Sequence, residues 1–188
     1  MPTYSEIKEE FDNSLGYIRN DITAIRQGAA TINYTIMLLI GCGCEMLAAA
    51  LGDRKRRGEK VFAELLPSGD WRLLADSIYT ALRDGLAHGF DTKHLDVGGT
   101  LIQIQVSWGN ANACEIIQTP KGPWLRIGVP PIATTLIAKI NEYEEVLKAP
   151  ANEEARVLFK KSCDQQRTKP LNQHERAAWS RLMTASGL

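Results

Sequence analysis

TIMLLIGCGCEMLAAAL, residues 35–51, is apolar on nearly every helical face and carries a single charge, Glu45. A membrane span needs about 20 apolar residues, and a carboxylate within one is expensive and rare. Seventeen residues with a Glu in the middle therefore read as a buried helix, extending over 30–51 and surrounded by other helices. Gly41 and Gly43 each cost roughly 1 kcal/mol of helix propensity there. Such a cost is accepted where a neighbouring helix approaches closely. Cys42 and Cys44 in this run read as small buried hydrophobes.

On the N-terminal side, residues 5–27 place Ile7, Phe11, Leu15, Ile18, Ile22 and Ile25 at three- and four-residue steps, the pattern of an amphipathic helix. On the C-terminal side, Gly52 ends the apolar helix and DRKRRGEK (53–60) follows as a charged connection. A short helix over 59–66 closes at Pro67, and Asp70 is a suitable N-cap for a helix over 71–88 with Leu74, Ile78, Leu82 and Leu86 inward. The texture then changes. TLIQIQVSW (100–108) alternates at period two, with Ile102, Ile104 and Val106 on one face. Two further short strands over 113–118 and 124–129 are split by Pro120, Gly122 and Pro123. Pro130-Pro131 opens a helix to about residue 147. Residues 153–161 read as helical, as do 172–186, where Asn172 and Glu175 have capping-box-like spacing. The expected fold is mainly α: an up-and-down helical bundle with a small antiparallel β insert over about 100–129, in one domain spanning 1–188.

The chain has 188 residues, of which 44% are hydrophobic and 23% charged, ordinary globular usage that excludes disorder and fibrous repeats. Lys plus Arg equals Asp plus Glu at 22 each, so any nucleic acid must be held by a local basic patch rather than by bulk charge. The densest such patch is Arg54, Arg56, Arg57 and Lys60, with Lys55. The four cysteines form no Cys-x-x-Cys pair and no metal-ligand grouping with the histidines, so neither a metal nor a cofactor is expected. The polar, acidic start lacks a secretory pattern. The expectation is a cytoplasmic protein with no membrane partner.

The segment richest in chemistry is YTALRDGLAHGF, residues 79–90. Arg83 and His88 lie about 140° apart around an ideal helix axis and do not share a face. Asp84 and His88, four apart, do, so Asp84 could fix the imidazole tautomer. Two copies of this helix crossing at a two-fold axis would bring each Arg83 and His88 into one cleft. A His at a helix C-terminus is also explained by the helix dipole alone. Glu45 could pair with Arg83 or sit at the wet rim of the bundle. Asn33 and Tyr34 could line the same cleft, and Trp108 and Trp124 could stack bases or pack internally.

LRDGLAH, with Arg83, Asp84 and His88 at the fixed positions, resembles the Arg-(Asn/Asp/His)-x-x-x-His signature of the HEPN superfamily, small helical proteins found among toxins, antiviral effectors and nucleotidyltransferase partners. Helix order over residues 1–90 is similar to that family, and the strands would be an insertion. The resemblance implies a homodimer that cleaves RNA without metal at the subunit interface, in a toxin or phage-defence role alongside an antitoxin or effector partner. Arg83 would bind the scissile phosphate, His88 would transfer the proton, Asp84 and Glu45 would support them, and Arg54, Arg56, Arg57 and Lys60 would guide RNA. The alternative within the resemblance is a non-catalytic homodimeric scaffold or sensing module. Phe90 stands where family members regulated by adenylylation carry a Tyr, so that regulation is not expected here.

Overall fold

The computed structural model describes residues 2–27, 33–52, 58–89, 94–167 and 172–185. The chain opens with α1 (Tyr4–Phe11), a π-helical turn (Asp12–Gly16) and α2 (Tyr17–Gln27), which run on as one rod. A capping box starts it: the Glu6 N–H bonds the Thr3 hydroxyl, and the Glu6 carboxylate accepts from the Thr3 N–H at 2.7 Å. Ile7, Phe11, Leu15, Ile18 and Ile22 are buried, as their spacing predicts, and Ile25 packs partly against the core. The π turn leaves no mark in that spacing.

Helix α3 (Asn33–Ala50) is the centre of the bundle. It packs against α2, α4 (Gly58–Leu65), α6 (Ala75–Gly89), α7 (Val129–Lys148), α8 (Glu153–Arg167) and strand β2. By length and composition alone α3 could cross a membrane; in this fold Ile36, Met37, Ile40, Cys44, Leu47 and Ala48 are buried among its neighbours. The two glycines separate. A Cβ on Gly43 would come within 2.9 Å of Leu136 on α7 and 3.2 Å of Ile18 on α2, the close approach anticipated for it, whereas one on Gly41 meets nothing within 4 Å. Cys44 is buried but Cys42 is exposed, contrary to the expectation that both lie inside, because that side of α3 faces an open cavity.

The segment after Pro67 departs from the helix read in the sequence. The helix expected over 71–88 is broken into α5 (Asp70–Leu73) and α6, with Leu74 at the break. Asp70 is not the cap: Gly69, at φ 84°, occupies that position. The break turns Leu74 outward, 48% exposed, and Ala75 takes the buried place beside Ile78, Leu82 and Leu86.

The strands are β1 (Leu95–Val97), β2 (Thr100–Ser107), β3 (Cys114–Thr119) and β4 (Gly122–Gly128), in the order β1-β2-β4-β3. The β insert is mixed, not antiparallel as expected: β1–β2 and β3–β4 are antiparallel hairpins, but β2 and β4 run parallel, from Gln103 opposite Trp124 to Ser107 opposite Gly128. Residues 108–113 do not make the hairpin turn suggested by Gly109-Asn110. They cross the end of β4 and deliver β3 to its far edge. The Gly128 N–H bonds the Ala113 carbonyl at 2.9 Å, and a Cβ at Gly128 would lie 2.0 Å from the Asn112 carbonyl oxygen. Only a glycine permits that crossing. Ile104, Val106, Leu125 and Ile127 form the buried face of the sheet.

The C-terminal helices are tied back by two polar sets. Arg156 on α8, 5% exposed, donates to four carbonyls: Nε to Pro2 at 2.7 Å, Nη1 to Leu147 and Ala149 at 3.2 and 2.7 Å, and Nη2 to Pro150 at 3.0 Å. One guanidinium thus satisfies carbonyls at the α7–α8 corner and holds the N-terminus. Glu144 on α7 accepts from the Tyr4 hydroxyl at 2.8 Å and from Arg19, and pairs with Lys148 at 3.2 Å. Burial raises the Glu144 carboxyl, but the bonds from Arg19, Tyr4 and Lys148 outweigh it and hold its pKa below the ordinary value. Helix α9 (Gln173–Ala185) has the Asn172–Glu175 capping box expected of it.

Gly128→Ala should destabilise by about 2–3 kcal/mol as an overpacking change, read in a thermal melt as a Tm lower by about 5–10 °C. Because the folded pKa of Glu144 is depressed, its contribution is present above the unfolded carboxylate pKa and is lost as pH falls through the folded value. Glu144→Gln should therefore lower the Tm at pH 7 and flatten its decline towards pH 3; an unchanged slope of Tm against pH would show that other carboxylates carry the acid sensitivity.

Candidate functional site

Three helices meet at the candidate site. Helix α3 supplies Gly41 and Glu45 one turn apart, α4 supplies its first residue, Gly58, and α6 supplies Tyr79, Arg83 and Asp84. Tyr79 and Arg83, four apart, lie on one face of α6. The Tyr79 hydroxyl donates to Glu45 Oε1 at 2.9 Å, with the Gly41 carbonyl also in reach at 3.2 Å. The Gly58 N–H, one of the free donors at the start of α4, bonds Glu45 Oε2 at 3.1 Å. A Cβ at Gly58 would come 2.4 Å from the Tyr79 oxygen and 2.9 Å from the Glu45 carboxyl carbon, so any larger residue at the start of α4 would push this pair of side chains aside.

Arg83 lies across this cluster. Its Nε and Nη2 both donate to Asp84 Oδ1, at 3.2 and 3.1 Å, while Nη1 is 3.6 Å from Glu45 Oε1. The guanidinium is also 5.9 Å from the centroid of the Tyr79 ring, within cation–π range. Of the two readings of Glu45, pairing with Arg83 is therefore present, and Glu45 also lies at a wet rim, its side chain 42% exposed. Arg83, 46% exposed at the side chain, remains open to solvent.

Tyr79 is 2% exposed. Burial, reinforced by the Glu45 carboxylate, pushes its phenol far above the ordinary value, so at neutral pH it serves as a donor and not as a base. The hydrogen bond to Asp84 holds the Arg83 guanidinium more firmly protonated still. The cluster offers a fixed cation and two carboxylates.

His88 lies on α6, which continues to Gly89, so both ends of the Arg-x4-His spacing are on one helix; the imidazole itself lies outside the described side chains. Asp84, expected to orient His88, accepts from Arg83; its expected contact with His88 falls outside the described side chains. Lys60 is an exposed residue of α4, whereas Arg54, Arg56 and Arg57 fall outside the described residues. Tyr34 is 36% exposed, and Asn33 keeps a buried Oδ1 without a partner among the described residues. Trp108 and Trp124 are half-buried on the sheet. Among the described residues no group of three His, Cys, Asp or Glu side chains converges.

Sequence reasoning passed over Tyr79, Gly58 and the separate role of Gly41. Tyr79 carried a signal in its spacing four residues before Arg83. Gly58 carried none, because its partners come from helices 13 and 21 residues away in the chain. Against known proteins, no family model, curated protein or solved structure matches the chain.

Tyr79→Phe removes the donor to Glu45 while keeping the ring. It should cost about 1.5–3 kcal/mol, the value of one hydrogen bond to a charged group, measured as a lower urea midpoint at unchanged m-value. A stability equal to wild type would mean that water replaces the hydroxyl at no loss.

Proposed function

We propose that the chain is a metal-independent endoribonuclease that acts as a homodimer, with α6 of each subunit contributing Arg83 and His88 to a shared cleft. The supporting observation is the placement of Arg83. It is the exposed guanidinium of the cluster, fixed by Asp84 through Nε and Nη2, with Nη1 left at a longer distance from Glu45. A guanidinium held in this way has its position and plane set before a phosphate arrives, which is what stabilisation of a developing phosphorane charge requires.

In the reaction the ribose 2′-hydroxyl attacks the adjacent phosphorus and the 5′-oxygen leaves. The products carry a 2′,3′-cyclic phosphate and a 5′-hydroxyl. His88, with an unperturbed pKa of about 6.5, takes the 2′-hydroxyl proton, and a second protonated group, His88 of the other copy in the dimer, delivers one to the leaving oxygen. Arg83 Nη1 moves from Glu45 to a non-bridging phosphate oxygen. Glu45 and Asp84 are positioning residues in this scheme, and Tyr79 holds Glu45. Lys60 and the arginines at 54, 56 and 57 supply the local positive field that a chain of zero net charge otherwise lacks. Toxin or phage-defence use is the setting in which a small ribonuclease of this type would serve.

The test is incubation of the full chain with RNA in excess EDTA. Cleavage should leave cyclic phosphate ends, should spare DNA, and should fall by at least about a hundredfold in His88→Ala, the range of one general acid–base group, and similarly in Arg83→Ala. Cleavage that survives both substitutions would sink the assignment. Complete inactivity of a dimeric wild type would favour the non-catalytic scaffold.

A further inference from the structure

Between α3, α4 and α6 lies a cavity of about 430 Å³, lined mainly by Met37, Leu38, Met46, Phe62, Leu82 and Leu86. Gly41, Cys42, Glu45, Tyr79 and Arg83 complete it, so an apolar chamber ends at a small ionic cluster. That is the form of a small-molecule site: a predominantly hydrophobic volume of about 300–1,000 Å³ with a few convergent polar groups.

Gly41 is the residue that makes the cavity more than a packing gap. A glycine inside a helix costs roughly 1 kcal/mol relative to alanine. Gly43 and Gly58 repay that cost through contacts under 3 Å that a Cβ would spoil, but a Cβ at Gly41 meets nothing within 4 Å. No neighbouring helix needs Gly41 to be small. What its missing side chain leaves is room in the cavity.

Charge decides what kind of molecule fits. The lining carries one carboxylate, Glu45, and one guanidinium, Arg83, and the guanidinium commits its two short hydrogen bonds to Asp84, outside the lining. Among the described residues Glu45 receives two neutral donors, the Tyr79 hydroxyl and the Gly58 N–H, and the long 3.6 Å approach of Arg83. Among those residues the incompletely balanced charge is thus negative and sits on Glu45, at the boundary between chamber and solvent. A nucleobase does not suit so apolar a chamber, since its polar edges would be desolvated without partners.

We propose that this cavity binds a hydrophobic amine: an apolar body seated against Leu38, Phe62, Leu82 and Leu86, with a protonated nitrogen on the Glu45 carboxylate. The site needs one copy of the chain and stands whether or not the protein cleaves RNA.

The probe is 1-naphthylmethylamine, with 1-naphthylacetate as its anionic counterpart, titrated calorimetrically into the full-length protein. Cys42 lines the cavity and is the exposed cysteine of the four, Cys44, Cys114 and Cys163 being buried. Its alkylation by iodoacetamide, followed by mass spectrometry, gives a second reading. The amine should bind saturably, protect Cys42, and bind at least about tenfold more tightly than the acid, a difference of about 1.4 kcal/mol. Gly41→Leu fills the space and improves helix propensity, so it should melt no lower than wild type and lose binding by tenfold or more. Met46→Trp fills the chamber from another side and should act alike. Glu45→Gln should erase the preference for amine over acid. Absence of saturable binding, equal affinity for the acid, or unaltered binding in both filled variants would overturn the proposal. So would a change of oligomeric state in Gly41→Leu without ligand binding in wild type, which would assign the chamber to a second copy of the chain.

Discussion

The burial of α3 is the constraint from which the rest of the structure follows. A helix apolar on almost all faces must be covered on almost all faces, and this chain covers it with α2, α4, α6, α7, α8 and one face of the sheet. At roughly 25 cal/mol for each Å² of apolar surface removed from water, side chains such as Ile36, Ile40 and Leu47, all 3% exposed or less, supply a large share of the stability. The neighbours are placed by that demand. Gly43 allows α2 and α7 to approach closely, and the chain direction imposed on α7 then sets where β4 must end.

Glu45 is where the demand meets its limit. A carboxylate on a core helix must reach water or acquire donors, and Glu45 does both: it lies at the rim and takes hydrogen bonds from Tyr79 and Gly58. Those bonds link α3, α4 and α6 through one side chain. Arg83 joins from outside and keeps the carboxylate near a positive charge without closing it off. A helix that needed only stability would carry a Leu at this position. The site and the fold therefore compete for the same few residues, and the polar cluster lies on the one sector of α3 where apolar cover is incomplete.

How far the sequence discloses this architecture depends on the range of the interaction involved. The three- and four-residue steps of Ile7 to Ile22, the twofold alternation at Ile102, Ile104 and Val106, and the Asn172–Glu175 spacing are local signals, and the corresponding elements lie where those residues indicate. Strand direction is not local. Antiparallel pairing is the natural reading of short strands with turn signals between them, and the parallel β2–β4 pair depends on a loop crossing at Gly128 that adjacent residues do not encode. The same holds at the start of α5, where Gly69, at positive φ, takes the cap position that Asp70 was well suited to fill. Within the site, Arg83, Asp84 and Glu45 stand out as charges in apolar or helical surroundings. Gly58 does not, since a glycine at a helix start looks ordinary until Tyr79 is seen against it.

The two glycines of Gly41-Cys-Gly43 condense the relation between sequence and function in this molecule. Two residues apart on α3, they face in different directions and bear the same helical penalty. Gly43 is explained by close packing, because a methyl group there would press on Leu136 and Ile18. Gly41 has no such explanation, and it borders the cavity that ends at Glu45, Tyr79 and Arg83. Its carbonyl lies within reach of the Tyr79 hydroxyl, so its backbone is held while its side-chain position is left vacant. A vacancy with that placement has a physical consequence. Apolar side chains around it forgo contacts they would otherwise make, a loss that a side chain longer than a methyl group would reduce, since a Cβ there meets nothing within 4 Å. An occupant other than a side chain is the simplest way for those contacts to be restored.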